Sequence, residues 1–339
     1  MKWITLTAPL VLSIGMAAPS AALAAGGPVP PAQGNAIGVA GSPYQYAAVA
    51  VGRDTIVKQV QAGAGSAGSK LRVAGQYGVP AVDYSGSTTG LSADGRTLVL
   101  AEIPGNVPPR QTRLLMLSAM PRLALRARLS LPGWWTVDAI SPNGRWLYLI
   151  HYTSSDALSY EVRAYDLVAR QLDPRPVVDR REPDEAMTGI AITRVMSAGD
   201  RWAYTLYTRP SGVPFVHALD TVGRRAVCID LPSLANADIG NVRLGLTLGG
   251  GVLQIDIDGV TRASVNTRTF AVSTARTVRT DARQAPPAST RPVHREAPAT
   301  QGAGGVPWEL IAALIAVLGA LTAIAALPAR RRRRDYRAT

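Results

Sequence analysis

The side chains able to do chemistry are few and scattered. Histidine occurs at 151, 217 and 294, and the chain has a single cysteine, Cys228. A tetrahedral zinc site needs four such ligands at short paired spacings, and no spacing of that kind is present, so no metal or cofactor is expected. A serine nucleophile on a strained G-x-S-x-G turn has no counterpart. Asp138, His151 and Asp156 are the one nearby grouping of the acids and imidazole that general acid–base work requires. A hydrolase or lyase would gather such residues at the mouth of a channel. The simpler reading makes His151 a satisfied histidine at a strand end, and no catalytic residue is assigned. Cys228 sits in the apolar run Ala226-Val227-Cys228-Ile229, which predicts a buried, unreactive thiol. One cysteine also excludes an intrachain disulfide.

Two glycine-containing stretches look like ligand loops and are read otherwise. Gly63-Ala64-Gly65-Ser66-Ala67-Gly68 is formally G-x-G-x-x-G, but a dinucleotide site needs that motif to open a helix. Here Ser69 to Val73 follows with the pattern of a strand. Asp256-Ile257-Asp258-Gly259 lacks the third acidic position and the later Glu of a calcium loop, and reads as a solvated turn. The run Asp179 to Glu185 carries both signs and is expected to be a solvated loop or a protein-docking loop.

The elements that position these residues are announced by a recurring turn. Leu91-Ser92-Ala93-Asp94-Gly95-Arg96 is one copy, Ser141-Pro142-Asn143-Gly144-Arg145 the next, and Ser197-Ala198-Gly199-Asp200-Arg201 the third. Thr247 to Gly251, centred on Gly250, is a degraded fourth. The steps from Ser92 to Ser141, Ser197 and Thr247 are 49, 56 and 50 residues. An Asp/Asn-Gly pair supplies the positive φ that a tight hairpin needs. The hairpin at Gly52-Arg53 is read as a fifth, atypical member. A second hairpin with an Asp- or Asn-led turn follows each of the later copies, at Glu161 to Gln171, Val216 to Val227 and Ala263 to Val272. Two hairpins per unit of roughly 50 residues means four antiparallel strands per unit, the period of propeller blades.

The S-x-D/N-G-R turn and the run Leu219-Asp220-Thr221-Val222-Gly223-Arg224-Arg225-Ala226-Val227 resemble the repeats of YVTN-type, TolB-like and WD40-like bacterial β-propellers. No Trp-Asp dipeptide ends a blade. The resemblance implies an all-β body of about five four-stranded blades over residues 44–275. An irregular propeller or a two-sheet sandwich is the alternative. Trp134, Trp135, Trp146 and Trp202 are expected mainly to pack between blades.

The ends predict topology. Residues 1–24 read as a signal peptide, with Lys2 ahead of an apolar run and Ala22-Leu23-Ala24 as a small-x-small site, cleaved after Ala24 or Ala25. Residues 25–43 read as a disordered lead-in. After the blades, 276–305 is a Pro/Ala/Thr/Arg-rich linker with little to bury, expected as a disordered stalk. Residues 306–328 are apolar and long enough, at 1.5 Å per residue, to cross a bilayer core of about 30 Å. Arg330, Arg331, Arg332, Arg333 and Arg334 follow in the 329–339 tail as a stop-transfer cluster that stays cytoplasmic. Gly302, Gly304 and Gly305 before that helix also resemble GlyGly-type sorting tails, which would be cleaved.

The net charge of +13 is almost entirely arginine, since only Lys2, Lys58 and Lys70 are lysine. Coding bias accounts for that, and no basic stripe interleaved with aromatics points to nucleic acid. The sequence therefore predicts a single-pass cell-membrane protein with its bulk extracytoplasmic. It is expected to bind another envelope protein or a cell-wall component. A propeller-type hydrolase or lyase and a surface sensor acting through the basic tail are the alternatives. The functional residues are expected on the longer loops between blades.

Overall fold

Alternation of Val, Leu, Ile, Ala and Tyr with polar residues, broken by Gly and Asp/Asn turns, folds the chain into strands throughout. The computed structural model describes residues 28–34, 36–61, 67–185, 187–209, 212–235 and 242–274. The predicted signal segment with Ala24 and Ala25, the 276–305 linker, the 306–328 apolar run and the tail with Arg330 to Arg334 lie outside these residues. Among the described residues no helix is long and apolar enough to cross a membrane.

Five antiparallel sheets follow one another along the chain. The first holds β1 (Ala36–Gly38), β2 (Tyr44–Val51), β3 (Asp54–Gln61) and β4 (Ala67–Ala74). The second holds β5 (Tyr77–Gly78), β6 (Thr97–Glu102), β7 (Gln111–Ser118) and β8 (Ala124–Pro132). The third holds β9 (Trp134–Ile140), β10 (Trp146–Tyr152), β11 (Ser159–Asp166) and β12 (Gln171–Pro176), with the short β13 (Met187–Thr188) beside β11. The fourth holds β14 (Ile190–Met196), β15 (Trp202–Thr208), β16 (Phe215–Asp220) and β17 (Arg225–Asp230). The fifth holds β18 (Leu244–Gly249), β19 (Val252–Ile257), β20 (Val260–Asn266) and β21 (Val272–Thr274). Each is a meander in sequence order.

In a meander, the first-to-second and third-to-fourth connections leave one end of the sheet, here the turn end. The second-to-third connections and the crossings to the next sheet leave the other, the loop end. The Ser-led turns sit at the turn end, and their side chains close them. Ser92 Oγ accepts from Thr97 N at 3.0 Å and donates to Asp94 Oδ1, which also accepts from Arg96 N. Ser141, Asn143, Arg145 and Trp146 repeat the pattern. Ser197 Oγ accepts from Trp202 N. Gly95, Gly144 and Gly199 have φ of 69°, 67° and 70°, as does Asp200 at 57° and Gly250 at 58°. The third-to-fourth turns are closed by Asp166, Asp220 and Asn266, each accepting two backbone N–H groups.

Neighbouring sheets share hydrophobic cores, first with second, second with third, third with fourth and fourth with fifth. No such cluster joins the fifth sheet to the first among the described residues. Polar pins reinforce these joints. The Tyr46 hydroxyl donates to Ala119 O and that of Tyr148 to Thr221 O, each reaching the next sheet's third-to-fourth turn. Thr55 and Thr112 stand at the start of third strands. Each donates to the glycine carbonyl that ends its sheet, Gly75 or Gly133, and accepts from the N–H of Tyr77 or Trp135 in the next.

Three expectations need correction. Thr55 marks β3 as a third strand, so the Gly52-Arg53 hairpin joins second to third strand at the loop end and is no member of the Ser-led series. The 25–43 lead-in has structure over its described part: Ala32 bridges Val79, Gly34 N donates to Ala48 O, and β1 edges the first sheet. Backbone pairing there replaces the apolar burial that its composition cannot supply. The strand pattern read from Ser69 starts in the structure at Ala67, so Gly68 of the G-x-G-x-x-G stretch already lies in a strand.

Candidate functional site

The three residues that could have formed an acid–base group do not come together. Asp156 closes an exposed turn at the loop end, accepting from Ser154 Oγ and Leu158 N. This is a further copy of the Ser-led device, with Ala157 at φ 59° where the Ser92 and Ser141 copies carry glycine and the Ser197 copy Asp200. His151, on β10, stacks on the Trp135 indole with centroids 4.0 Å apart and planes at 11°. Burial lowers its pKa, opposed by Glu161. Asp138 is wholly buried. Val137 pairs with Leu149 and Ala139 with Tyr148, so Asp138 is the extra residue of a β-bulge, a device that re-aims a side chain.

The bulge turns Asp138 onto Arg194 of β14. The guanidinium donates through Nη2 to Asp138 Oδ1, through Nη1 to Asp138 O and through Nε to Thr205 Oγ1. Burial opposes the Arg194 charge, but Asp138, with smaller contributions from Tyr207 and Asp83, more than offsets it and raises the pKa. Asp83 reaches this point on an excursion between β5 and β6 whose Tyr84 and Ser85 N–H groups donate to Ala191 O and Ile192 O. His217, Tyr160 and Tyr207 complete a buried polar and aromatic cluster, with Tyr207 stacked on Phe215 at 5.2 Å. Asp83 Oδ2, Asp138 Oδ2 and His217 Nε2 have no hydrogen-bond partner among the described residues. The side chains of the group are buried and join the third sheet to the fourth. Sequence reasoning named Asp138 but missed Arg194 and Asp83. The Asp138–Arg194 contact spans 56 residues and has no local signal.

The remaining candidate motifs are accounted for by structure. Asp179 is buried against Arg181 at 2.6 Å and accepts from Cys228 N, which pins the start of the charged 179–185 loop to β17. Cys228 is half-buried, short of the full burial expected, and desolvation still pushes its thiol up to about 12. Asp256 and Asp258 serve the β19–β20 turn and its neighbours, accepting from Thr261 Oγ1 and Arg243 N. Among the described residues no three His, Cys, Asp or Glu side chains group to hold a metal.

Accessible concavities lie at both ends of the sheets. At the loop end, between the second and third sheets, an apolar groove of about 340 Å³ is lined by Trp134, Trp135, Val137, Pro104, Val107 and Pro109. The lead-in residues Pro28 to Pro31 form one side, and the Arg113–Glu102 ion pair, at 2.9 Å, provides the polar part. The Trp135 indole N–H is satisfied by Pro132 O, leaving the ring as a nonpolar wall. Val107 is 67% exposed on the long β6–β7 loop. At the turn end there are two wider grooves. One, about 840 Å³ between the second and third sheets, carries Arg96, Arg126 and Arg170. The other, about 620 Å³ between the fourth and fifth, carries Trp202, Phe270, Arg225 and Arg268.

Five successive four-stranded meanders, packed face to face in chain order, are the construction of a β-propeller-type protein. No family model matches the sequence, and no curated protein matches it. Solved structures similar to it include TolB from Acinetobacter baumannii, 12% identical with a TM-score of 0.37 over 68% of this chain and 53% of that one. Puromycin hydrolase is 16% identical with a TM-score of 0.43, over 73% of this chain and 38% of that one. A periplasmic gluconolactonase from Pseudomonas aeruginosa is 19% identical, TM-score 0.39, over 68% of each chain. The chain thus spans about half the length of the TolB structure and under two-fifths of the hydrolase.

Proposed function

We propose that the protein is a membrane-tethered, extracytoplasmic binding module whose loop-end groove takes an extended apolar segment of another envelope protein. The observation that carries this reading is the groove itself. It is concave, walled by two indoles and a series of prolines, and has an ion pair at its edge, the composition of a peptide-recognition site. The Pro-rich segment Pro28 to Pro31 already forms one of its sides, which argues for a partner segment of similar chemistry. The tether and the compartment rest on the predicted signal peptide, the 306–328 apolar run and its arginine cluster.

Cross-linking in intact cells tests both parts, with wild type and Val107→Arg as baits. The proposal expects an envelope protein captured by wild type and lost with the variant, and protease shaving that removes the 26–305 region. Recovery of no specific partner, together with hydrolysis of a glycan panel, would favour the hydrolase alternative. Full protection from protease would overturn the topology.

A further inference from the structure

The turn end carries a regularity that the groove reading does not use. The Ser-led turns of the second, third and fourth sheets end in Arg96, Arg145 and Arg201, and the third-to-fourth turns of the second to fifth contain Arg122, Arg170, Arg224 and Arg268. All are exposed. Coding bias explains why they are arginine in place of lysine, but not why they recur at one turn position and so at one end of the sheets. That these turns share an end follows from their contacts: Asp94 N donates to Pro142 O between neighbouring turns, and Arg224 lies over the Trp146 ring at 4.4 Å. Arg145, Arg201 and Arg224 are neutralised by Asp166, Asp220 and Asp173. Arg96, Arg122, Arg170 and Arg268 make no ion pair among the described residues. The turn end has one exposed acid, Asp94, in the first groove beside Arg96; the loop end has more, with exposed Asp156, Glu182, Asp184, Asp230 and Asp258 among its arginines.

From this we infer that the turn end is a docking surface for an anionic polysaccharide of the envelope. Three of the four unneutralised arginines, Arg96 and Arg170 in one groove and Arg268 in the other, line recessed surface, which suits a chain carrying discrete carboxylate or phosphate groups, each able to take a guanidinium fork. The second groove adds the half-buried Trp202 ring, with Phe270 edge-on at 5.5 Å, the Asp220-paired Arg225 guanidinium 5.8 Å from its centroid, and Arg268 without an ion pair in the same groove. An aromatic face beside a cation holds a sugar ring next to its charge. A flat anionic bilayer would not enter either groove.

The surface lies at the end opposite the apolar groove, so this inference rests on the extracytoplasmic placement proposed above but not on the groove, and binding here stands or falls without a partner there. The test uses the purified full-length protein in a neutral detergent, with polygalacturonate as the probe. Uncharged dextran, phosphatidylglycerol vesicles and single-stranded DNA are the comparison ligands. Polygalacturonate should bind, weaken with salt, and lose about tenfold in affinity in the Arg96→Gln/Arg170→Gln double variant, two exposed charge contacts together. Arg72→Gln, which removes an exposed arginine of β4 that pairs with Asp54, should bind as wild type. Circular dichroism confirms that each variant is folded. No binding to polygalacturonate, equal loss with Arg72→Gln, or tighter binding to vesicles or DNA would overturn the inference.

Discussion

Gly144→Ala is the substitution that most directly tests how the second and third sheets meet. Gly95 and Gly144 hold the same place in successive turns, with φ of 69° and 67°. Alanine in the left-handed region costs about 1 kcal/mol at either. A Cβ on Gly95 would meet nothing within 4 Å, so backbone strain is its whole cost. A Cβ on Gly144 would lie 2.8 Å from Thr97 Cβ and 3.4 Å from Ser92 Cβ, both in the preceding sheet's turn. Ser92 and Thr97 are hydrogen-bonded to each other and cannot yield cheaply. Overpacking of this kind adds about 1–3 kcal/mol. For a body of this size, Gly95→Ala should lower the melting temperature by about 2–4 °C and Gly144→Ala by about 5–15 °C. Thermal unfolding followed by circular dichroism reads both. Equal shifts in the two variants would mean that the turns do not touch, and the face-to-face packing of these sheets would be wrong.

Three further outcomes follow from the buried groups. Asp138→Asn strands the buried Arg194 charge and should cost about 3–5 kcal/mol in denaturant unfolding, whereas Asp138→Leu/Arg194→Met should cost less than either single change; additive losses would show that the two groups are not paired. Burial holds the His217 pKa below 6.5, opposed by Asp138 and Asp179 and reinforced by Arg194. Its contribution to stability is therefore complete above pH 6.5 and is lost as pH falls toward the folded pKa, by up to about 1.4 kcal/mol per pH unit. His217→Gln should flatten the stability profile below pH 6.5 by that slope, and an unchanged slope would place the imidazole in solvent. Half-buried Cys228, with its thiol pushed up to about 12, should resist iodoacetamide at pH 8 in the native protein and react after unfolding; alkylation at the rate of a free thiol would contradict its desolvation.

Much of the strand organisation is legible in the sequence because its turns are closed by local chemistry. Ser92, Ser141 and Ser197 announce their hairpins through bonds that span only five residues. Where the local sign is ambiguous, reading from sequence goes astray. Gly52-Arg53 makes a tight hairpin like the others, and only Thr55, bonded across to Gly75 and Tyr77, shows which pair of strands it joins. The Ser154-Asp156 copy escapes notice because Ala157 takes the left-handed position usually given to glycine. The Asp138–Arg194 contact depends on a bulge and on two sheets meeting, neither of which has a periodic signature. The arginines of the turns are visible at once as turn residues, but only their common placement at one end gives them a role as a surface. The apolar groove likewise appears only when the Pro-rich loop 103–110, the lead-in and β9 are brought side by side.

The central claim, that the loop-end groove is where another envelope protein binds, is tested most directly by a photo-reactive side chain at Val107 in intact cells. Val260, 52% exposed and beside a loop-end turn of the fifth sheet, is the control position. A discrete protein adduct at Val107 and none at Val260 is the predicted result. No adduct at Val107, or the same adducts at both positions, would contradict it.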